Sequence, residues 1–341
     1  MRKHYLIIGC FVLLAIAVNS EVLHTIFSGF HYSKHFPSPT YRFEQNNISE
    51  AKFKLGRKLF FDPALSKDNT ISCGSCHIPS SSFTQHGHAL SHGLDDSLGV
   101  RNSPPIMNLA WSTSFMWDGG INDLDLQPIA PITNHVEMGE TMENILYKVN
   151  QDKSYNDYSK AAYGNEQLTT SQILKSLSQY MLMCISDNAK YDSVIRGQSK
   201  FTSQEKQGYE IFKAKCNSCH KEPLFTDYSF RNNGVKITDG NDMGRYLITL
   251  NDKDKYKFKV PSLRNLNYTA PYMHDGSMEE IDEVLAHYAN NMNNTLNVDS
   301  TFIKNNYIGV QLSKDEKRML KQFLKTLNDL SFVNNKNLQE Q

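Results

Sequence analysis

Two copies of one pentapeptide constrain this chain more than any other feature: Cys73-Gly74-Ser75-Cys76-His77 and Cys216-Asn217-Ser218-Cys219-His220. C-x-x-C-H is the attachment motif of c-type haem. Two thiols at that spacing reach the two vinyl groups of a porphyrin, and the adjoining imidazole then lies under the iron as its proximal ligand. The sequence therefore predicts two covalent haems, one on Cys73 and Cys76 with His77 on its iron, the other on Cys216 and Cys219 with His220. A zinc ribbon places its paired knuckles about 15–20 residues apart, whereas 139 residues separate Cys76 from Cys216. A thioredoxin-like site needs a strand-then-helix context that neither copy has. Of the remaining two cysteines, Cys184 continues the apolar stripe of Ile173, Leu174, Leu177 and Met181 and reads as a buried, inert thiol.

The other, Cys10, falls in a leader. Arg2 and Lys3 precede an apolar run from Leu6 to Val18, short for a membrane span and right for a signal peptide or signal anchor. The chain is thus expected in the periplasm, which agrees with c-type maturation outside the cytoplasm. Lys+Arg and Asp+Glu both number 36, a balance that disfavours nucleic acid as a partner. At 341 residues the length favours about two domains. The organisation expected is a leader over 1–20, a linker over 21–41 containing Pro37-Ser38-Pro39, an N-terminal haem domain over 42–196, a C-terminal haem domain over 197–331, and a loose tail over 332–341.

The two halves repeat beyond the motifs. Gly56-Arg57-Lys58-Leu59-Phe60 precedes the first and Gly208-Tyr209-Glu210-Ile211-Phe212 the second; the longer interval in the first copy implies a nine-residue insertion around Asp62 to Thr70. Downstream, Pro104–Leu124 aligns without gaps to Pro261–Ile281, so that Met116-Trp117-Asp118-Gly119 falls on Met273-His274-Asp275-Gly276. Capping boxes at Thr169/Gln172, Thr202/Glu205 and Ser313/Glu316 open three helices, and no convincing run of alternating strands occurs. The fold class predicted is mainly α: two tandem cytochrome c-like haem domains related by internal duplication.

The chain resembles the bacterial di-haem cytochrome c peroxidases, a family that includes the enzyme maturing the quinone of methylamine dehydrogenase. The resemblance spans about residues 42–330 and rests on Leu55-Gly56-Arg57 through Phe61-Asp62-Pro63, both haem motifs, Arg101-Asn102-Ser103-Pro104, Trp117-Asp118-Gly119, Glu137-Met138-Gly139, Leu263-Arg264-Asn265 and Pro271-Tyr272-Met273-His274-Asp275-Gly276. It implies reduction of hydrogen peroxide to water at the N-terminal haem, with electrons arriving through the C-terminal haem from a small cytochrome c or copper protein. Glu137 matches the catalytic glutamate, Gln127 the glutamine beside it, and Trp117 the indole between the haems. Asn102, Thr269 and Pro271 match the ligands of a calcium ion, and family members are often homodimers. Heterolysis of a peroxide requires a base that later acts as acid, and a carboxylate in an apolar pocket has the raised pKa for both.

Two positions depart from the peroxidase pattern. The histidine that closes the N-terminal haem in members needing reductive activation is replaced by Leu94, with His86, His88 and His92 nearby in a His-rich loop. The methionine expected as sixth ligand of the C-terminal haem is replaced by Tyr288, as in the quinone-maturing enzyme, with Met292, Met273 and Met278 as fallbacks. A phenolate favours oxidised iron and lowers its potential, whereas Met raises it. These departures leave two alternatives beside peroxide reduction: oxidative modification of a protein or small-molecule substrate through a high-valent di-haem state, and a non-enzymatic di-haem electron carrier. The segment Asn251–Lys259 reads as a donor-docking patch or, with its alternating charges, as a solvated loop.

Overall fold

Twelve α-helices carry the described residues, 29–237 and 242–341 of the computed structural model, and only four two-residue strands accompany them. The leader with Cys10, and the linker up to residue 28, lie outside the described residues. In chain order the helices are α1 (Glu50–Phe61), α2 (Cys73–Cys76), α3 (Ile129–Thr133), α4 (Met142–Gln151), α5 (Asn156–Tyr163), α6 (Thr170–Leu182), α7 (Lys190–Ile195), α8 (Ser203–Lys215), α9 (Tyr246–Thr249), α10 (Ile281–Ala286), α11 (Lys314–Lys325) and α12 (Leu330–Val333). Strand Phe230–Arg231 pairs antiparallel with Phe258–Lys259, and Ile303–Lys304 with Tyr307–Ile308. Residues Tyr32–Gln341 form one compact unit; of the other unit, Met1–His31, only residues 29–31 are described.

The three capping boxes form as the sequence predicts. Thr169, Thr202 and Ser313 each accept the N–H three residues on, and Gln172, Glu205 and Glu316 reach back to the cap N–H, satisfying two otherwise unpaired donors at each helix start. Each haem motif is led by a helix pressed against a partner through a glycine. A Cβ on Gly56 of α1 would lie 1.8 Å from the Ser176 carbonyl oxygen of α6, and one on Gly208 of α8 would lie 2.0 Å from that of Met319 in α11. Only glycine permits such backbone contact. It fixes where α1 and α8 deliver the chain to Cys73 and Cys216.

Further local devices recur 157 positions apart. Asn108 and Asn265 are both left-handed and each opens a 3-10 turn. Phe115 bridges to Ile121 as Tyr272 does to Met278. Met116 and Met273 both have positive φ, as do Gly119 and Gly276.

Two stretches differ from expectation. The loose tail of 332–341 is packed: Phe332, Val333 and Leu338 are buried, Tyr180 donates its hydroxyl to the Leu338 carbonyl at 2.6 Å, and the Phe332 ring meets Phe83. Part of the 21–41 linker is equally docked. Phe36 lies edge-on to Trp111 and under the Arg264 guanidinium, and Trp111 donates to the Pro37 carbonyl at 2.7 Å. Isolated apolar residues without periodicity carry both contacts, so no pattern in the sequence announces them. Cys184 is fully buried, as expected.

Candidate active site

The two C-x-x-C-H motifs have the same chemistry in different surroundings. Cys73–Cys76 is a one-turn helix, whereas Cys216 caps the end of α8. All four thiols are free. Burial raises Cys73 and Cys216 to about 12 and Cys76 to about 11; the partner thiol adds to the rise at Cys73 and Cys216 and Glu137 at Cys73 and Cys76, while Lys215 opposes it at Cys216. The His77 Nδ1 lies 2.8 Å from the Phe83 carbonyl oxygen, and the His220 Nδ1 lies 3.2 Å and 3.1 Å from those of Phe225 and Pro261. A carbonyl can only accept, so Nδ1 carries the proton in both rings and Nε2 is left with its lone pair. Phe83 and Phe225 both take positive φ, which turns their carbonyls to the imidazoles. Paired free thiols beside an Nε2 ligand fit a covalent haem at each motif.

Glu137 belongs to the first pocket. Its charge reaches both Cys73 and Cys76 and helps raise them. Burial in turn raises Glu137 above its ordinary value, opposed by the 2.8 Å hydrogen bond that Asn134 Nδ2 donates to its Oε1. Leu94 is buried in the wall of this pocket: its N–H donates to the Glu137 carbonyl at 3.0 Å, and its Cδ1 would lie 2.5 Å from a Cβ on Gly139. His92 bonds Asp96 at 2.6 Å and its ring meets that of His88 at 4.5 Å. Gln127 directs its amide to the Met116 sulfur at 3.7 Å.

Trp117 lies at the seam of the two halves. Its indole N–H donates to the Asn102 carbonyl at 2.8 Å, and the Asn102 N–H donates to the His274 carbonyl at 2.8 Å, so one residue links the Trp117-Asp118-Gly119 turn to the His274-Asp275-Gly276 turn. Arg101 donates to Asp118 at 2.5 Å and binds Asp242 through two nitrogens. Phe258 stacks on His274 at 3.6 Å. Lys259 donates its ammonium to the Ser114 carbonyl and its N–H to that of Trp117; burial pulls its pKa down to about 8.

In the second pocket Tyr288 stands on a π-helical turn, His287–Asn291, which follows α10 directly. Such turns re-aim a side chain within a helix. Burial raises the Tyr288 hydroxyl to about 12, and the charges of Cys219 and Cys216 add to it, which places the phenol close to the second pair of thiols. Asn233 donates to Tyr288 Oη at 3.3 Å and to the Met273 sulfur at 3.5 Å, while His287 Nε2 holds the Asn233 carbonyl at 2.9 Å. Met292 follows the turn in extended backbone beside Gly234. A cavity of about 460 Å³ opens next to the turn, bordered by Met278, His287 and Asn293.

The family model for di-haem cytochrome c peroxidase matches residues 50–200. The methylamine utilization protein MauG of Methylorubrum extorquens is 35% identical over 255 residues, covering 71% of this chain and 70% of the relative. The chain belongs to the di-haem cytochrome c peroxidase family. Cytochrome c551 peroxidase of Nitrosomonas europaea is 33% identical over 237 residues, covering 68% and 71%. Among solved structures, a MauG-like protein associated with microbial copper homeostasis superposes with a TM-score of 0.82 at 28% identity, covering 91% of this chain and 98% of that one.

Membership in the di-haem peroxidase family makes two c-type haems and a peroxidase-type oxidoreductase chemistry the frame for the site. The reading from sequence missed Asn134 and Asn233, the amides that hold Glu137 and Tyr288. Asn134, three residues before Glu137, was within reach as a turn-forming residue; Asn233 is 55 residues from its partner, and nothing local marks it. In the segment Asn251–Lys259, Lys255 pairs with Asp252 and Lys257 with Asp254, and Lys259 turns inward.

Proposed function

We propose that this chain is an exported periplasmic peroxidase. In this reading it reduces hydrogen peroxide to water at the N-terminal haem, with electrons from a small cytochrome c or copper protein entering through the C-terminal haem. The observation that carries it is the Glu137 carboxyl, raised by burial and set against the thiols of the first haem motif. Cys73, Cys76 and His77 would hold the haem, which would supply the redox-active iron for the reaction. Deprotonated Glu137 takes the proton from one peroxide oxygen and returns it to the departing one. Asn134 orients the carboxyl, and Gln127, whose amide meets the Met116 sulfur, is the proposed second polar group for peroxide. Leu94 carries no ligating atom, so residue 94 would not close the N-terminal haem, and reaction with peroxide would need no prior reduction.

Trp117 gives the electron path an oxidisable indole at the seam. Tyr288 is the proposed sixth ligand of the C-terminal haem, with Met292 or Met273 as replacements. Asn102, Thr269 and Pro271 are the proposed ligands of a calcium ion, since amide and carbonyl oxygens suit a hard cation; Asn102 bonds the carbonyl of His274, three residues past Pro271. The devices that recur 157 positions apart support descent of 42–196 and 197–331 from one haem domain. An EPR series on ferric and half-reduced protein tests the assignment: one high-spin ferric haem, lost in Cys73→Ala, is expected, and two low-spin haems would overturn it in favour of an electron carrier.

Tyr288 in the second pocket favours a second reading, oxidative modification of a protein or small-molecule substrate. Ferric protein given peroxide with no donor would then consume it and retain two oxidising equivalents without pre-reduction.

A further inference from the structure

The loop over residues 62–70, present before the first haem motif and missing before the second, is tied to the turn that carries Glu137. Lys67 N–H donates to the Met138 carbonyl at 2.9 Å. The loop is itself held by Lys148 of α4, whose ammonium donates to the carbonyls of Ala64 at 3.2 Å and Ser66 at 2.7 Å and to Asn69 Oδ1 at 3.0 Å. The same ammonium bonds Glu140 Oε2 at 2.6 Å. Glu140 ends the turn that begins at Asn134, and its side chain is 5% exposed. Its other bonds are local: Thr141 N–H at 2.8 Å and Asn144 Nδ2 at 2.8 Å. Within the turn, the N–H groups of Glu137 and Gly139 both donate to the Asn134 carbonyl, and Gly139 has φ +58°.

We propose that Lys148 is the positioning residue for Glu137: its ammonium, shared between the 62–70 loop and Glu140, holds the 134–140 turn just past Glu137, at Met138 through the loop and at Glu140 directly, and fixes the carboxyl over the first haem pocket. This rests on the reading of Glu137 as the acid/base group. A flexible cation on a helix is suited to the task because its three N–H donors reach oxygens of a loop, a side chain amide and a carboxylate at once. The backbone of the preceding helix holds Asn134, Met138 and Glu140 through the carbonyls of Ala130, Pro131 and Ile132, and at Glu137 itself the outside bond is that of the Leu94 N–H to its carbonyl, from a stretch where Asp95 and Asp96 both have positive φ. A displacement of the carboxyl by an ångström is enough to cost about 100-fold in a reaction that depends on its placement. The clamp is also asymmetric between the halves, since the second motif has no counterpart of the loop, and it gives a physical reason why an acid/base group is built at one motif alone.

The test compares two reactions of the haem-loaded protein. Reaction with peroxide needs the placed carboxyl; association of carbon monoxide with the reduced protein needs only an open iron. Lys148→Met is expected to slow the peroxide step by about 10- to 100-fold, leave carbon monoxide association within about threefold, and speed amide exchange across residues 134–140. Lys148→Arg restores the peroxide rate. Glu140→Gln, which preserves shape and leaves the ammonium on its two carbonyls, slows the peroxide step in the same direction and covers the case in which Lys148→Met does not fold. Equal losses in both reactions, or no loss in either variant, overturn the proposal. Glu137→Gln run beside them separates the two claims: if it leaves the peroxide rate intact, the acid/base reading fails, whereas a slow Glu137→Gln with a fast Lys148→Met sinks the clamp alone.

Discussion

Arg264 and Asp192 offer the sharpest test of how the two halves are held together. Both side chains are fully buried. The guanidinium meets the carboxylate with two bonds, 2.9 Å and 2.7 Å, and donates twice to the Pro223 carbonyl, at 3.1 Å and 2.8 Å. Arg264→Met keeps much of the volume and the contacts with Phe36 and Phe225 but strands the carboxylate with only Ala189 N–H and His35. Removing one partner of a buried pair costs about 3–5 kcal/mol, a third or more of the total for many domains. With denaturant slopes of about 1–3 kcal/mol/M, the urea midpoint should fall by about 1 M or more.

Asp192→Asn/Arg264→Met removes both charges, and its loss should fall short of the summed single losses by at least about 2 kcal/mol. Burial works to raise Asp192, but the Arg264 bonds hold its folded-state pKa below the ordinary value. Its stabilisation is therefore complete at neutral pH and is lost as pH falls through that depressed value, so the deficit of Arg264→Met is largest at neutral pH and narrows in acid. A deficit under about 1 kcal/mol, or strictly additive losses, would refute the reasoning.

Gly208→Ala forces a Cβ to within 2.0 Å of the Met319 carbonyl oxygen, so α8 and α11 must part by about 1 Å, with an expected loss of about 1–3 kcal/mol in thermal unfolding; an unchanged melting temperature would show the helix contact to be slack. Truncation after Val333 removes buried Leu338 and leaves the Tyr180 hydroxyl without its acceptor. That should cost about 2–4 kcal/mol, and a truncated protein as stable as the full chain would restore the tail to the loose state its composition suggests.

What could be read in advance was local or chemically fixed. Thr169, Thr202 and Ser313 announce their helices because a capping box is complete within four residues. The haem motifs are legible because thioether bonding and iron ligation dictate residue type and spacing. The packed tail and the docked part of the linker were not legible, since Phe36, Phe332, Val333 and Leu338 are single apolar residues whose burial depends on partners as distant as Trp111 and Tyr180. Lys148 and Asn233 escaped for the same reason. A lysine on a helix reads as solvated until tertiary structure brings four oxygens around its ammonium.

Peroxide kinetics across pH, in the native protein and in Glu137→Gln, bear most directly on the claim that Glu137 is the acid/base group of an open N-terminal haem. Glu137 must be deprotonated to accept a proton, and burial raises its pKa above the ordinary 4.5. The native rate constant should therefore fall as pH drops through that raised value and level off above it. Glu137→Gln should be slower by about 10²–10⁴-fold and lose that inflection. A Glu137→Gln protein that keeps the native rate and the native inflection would contradict the account.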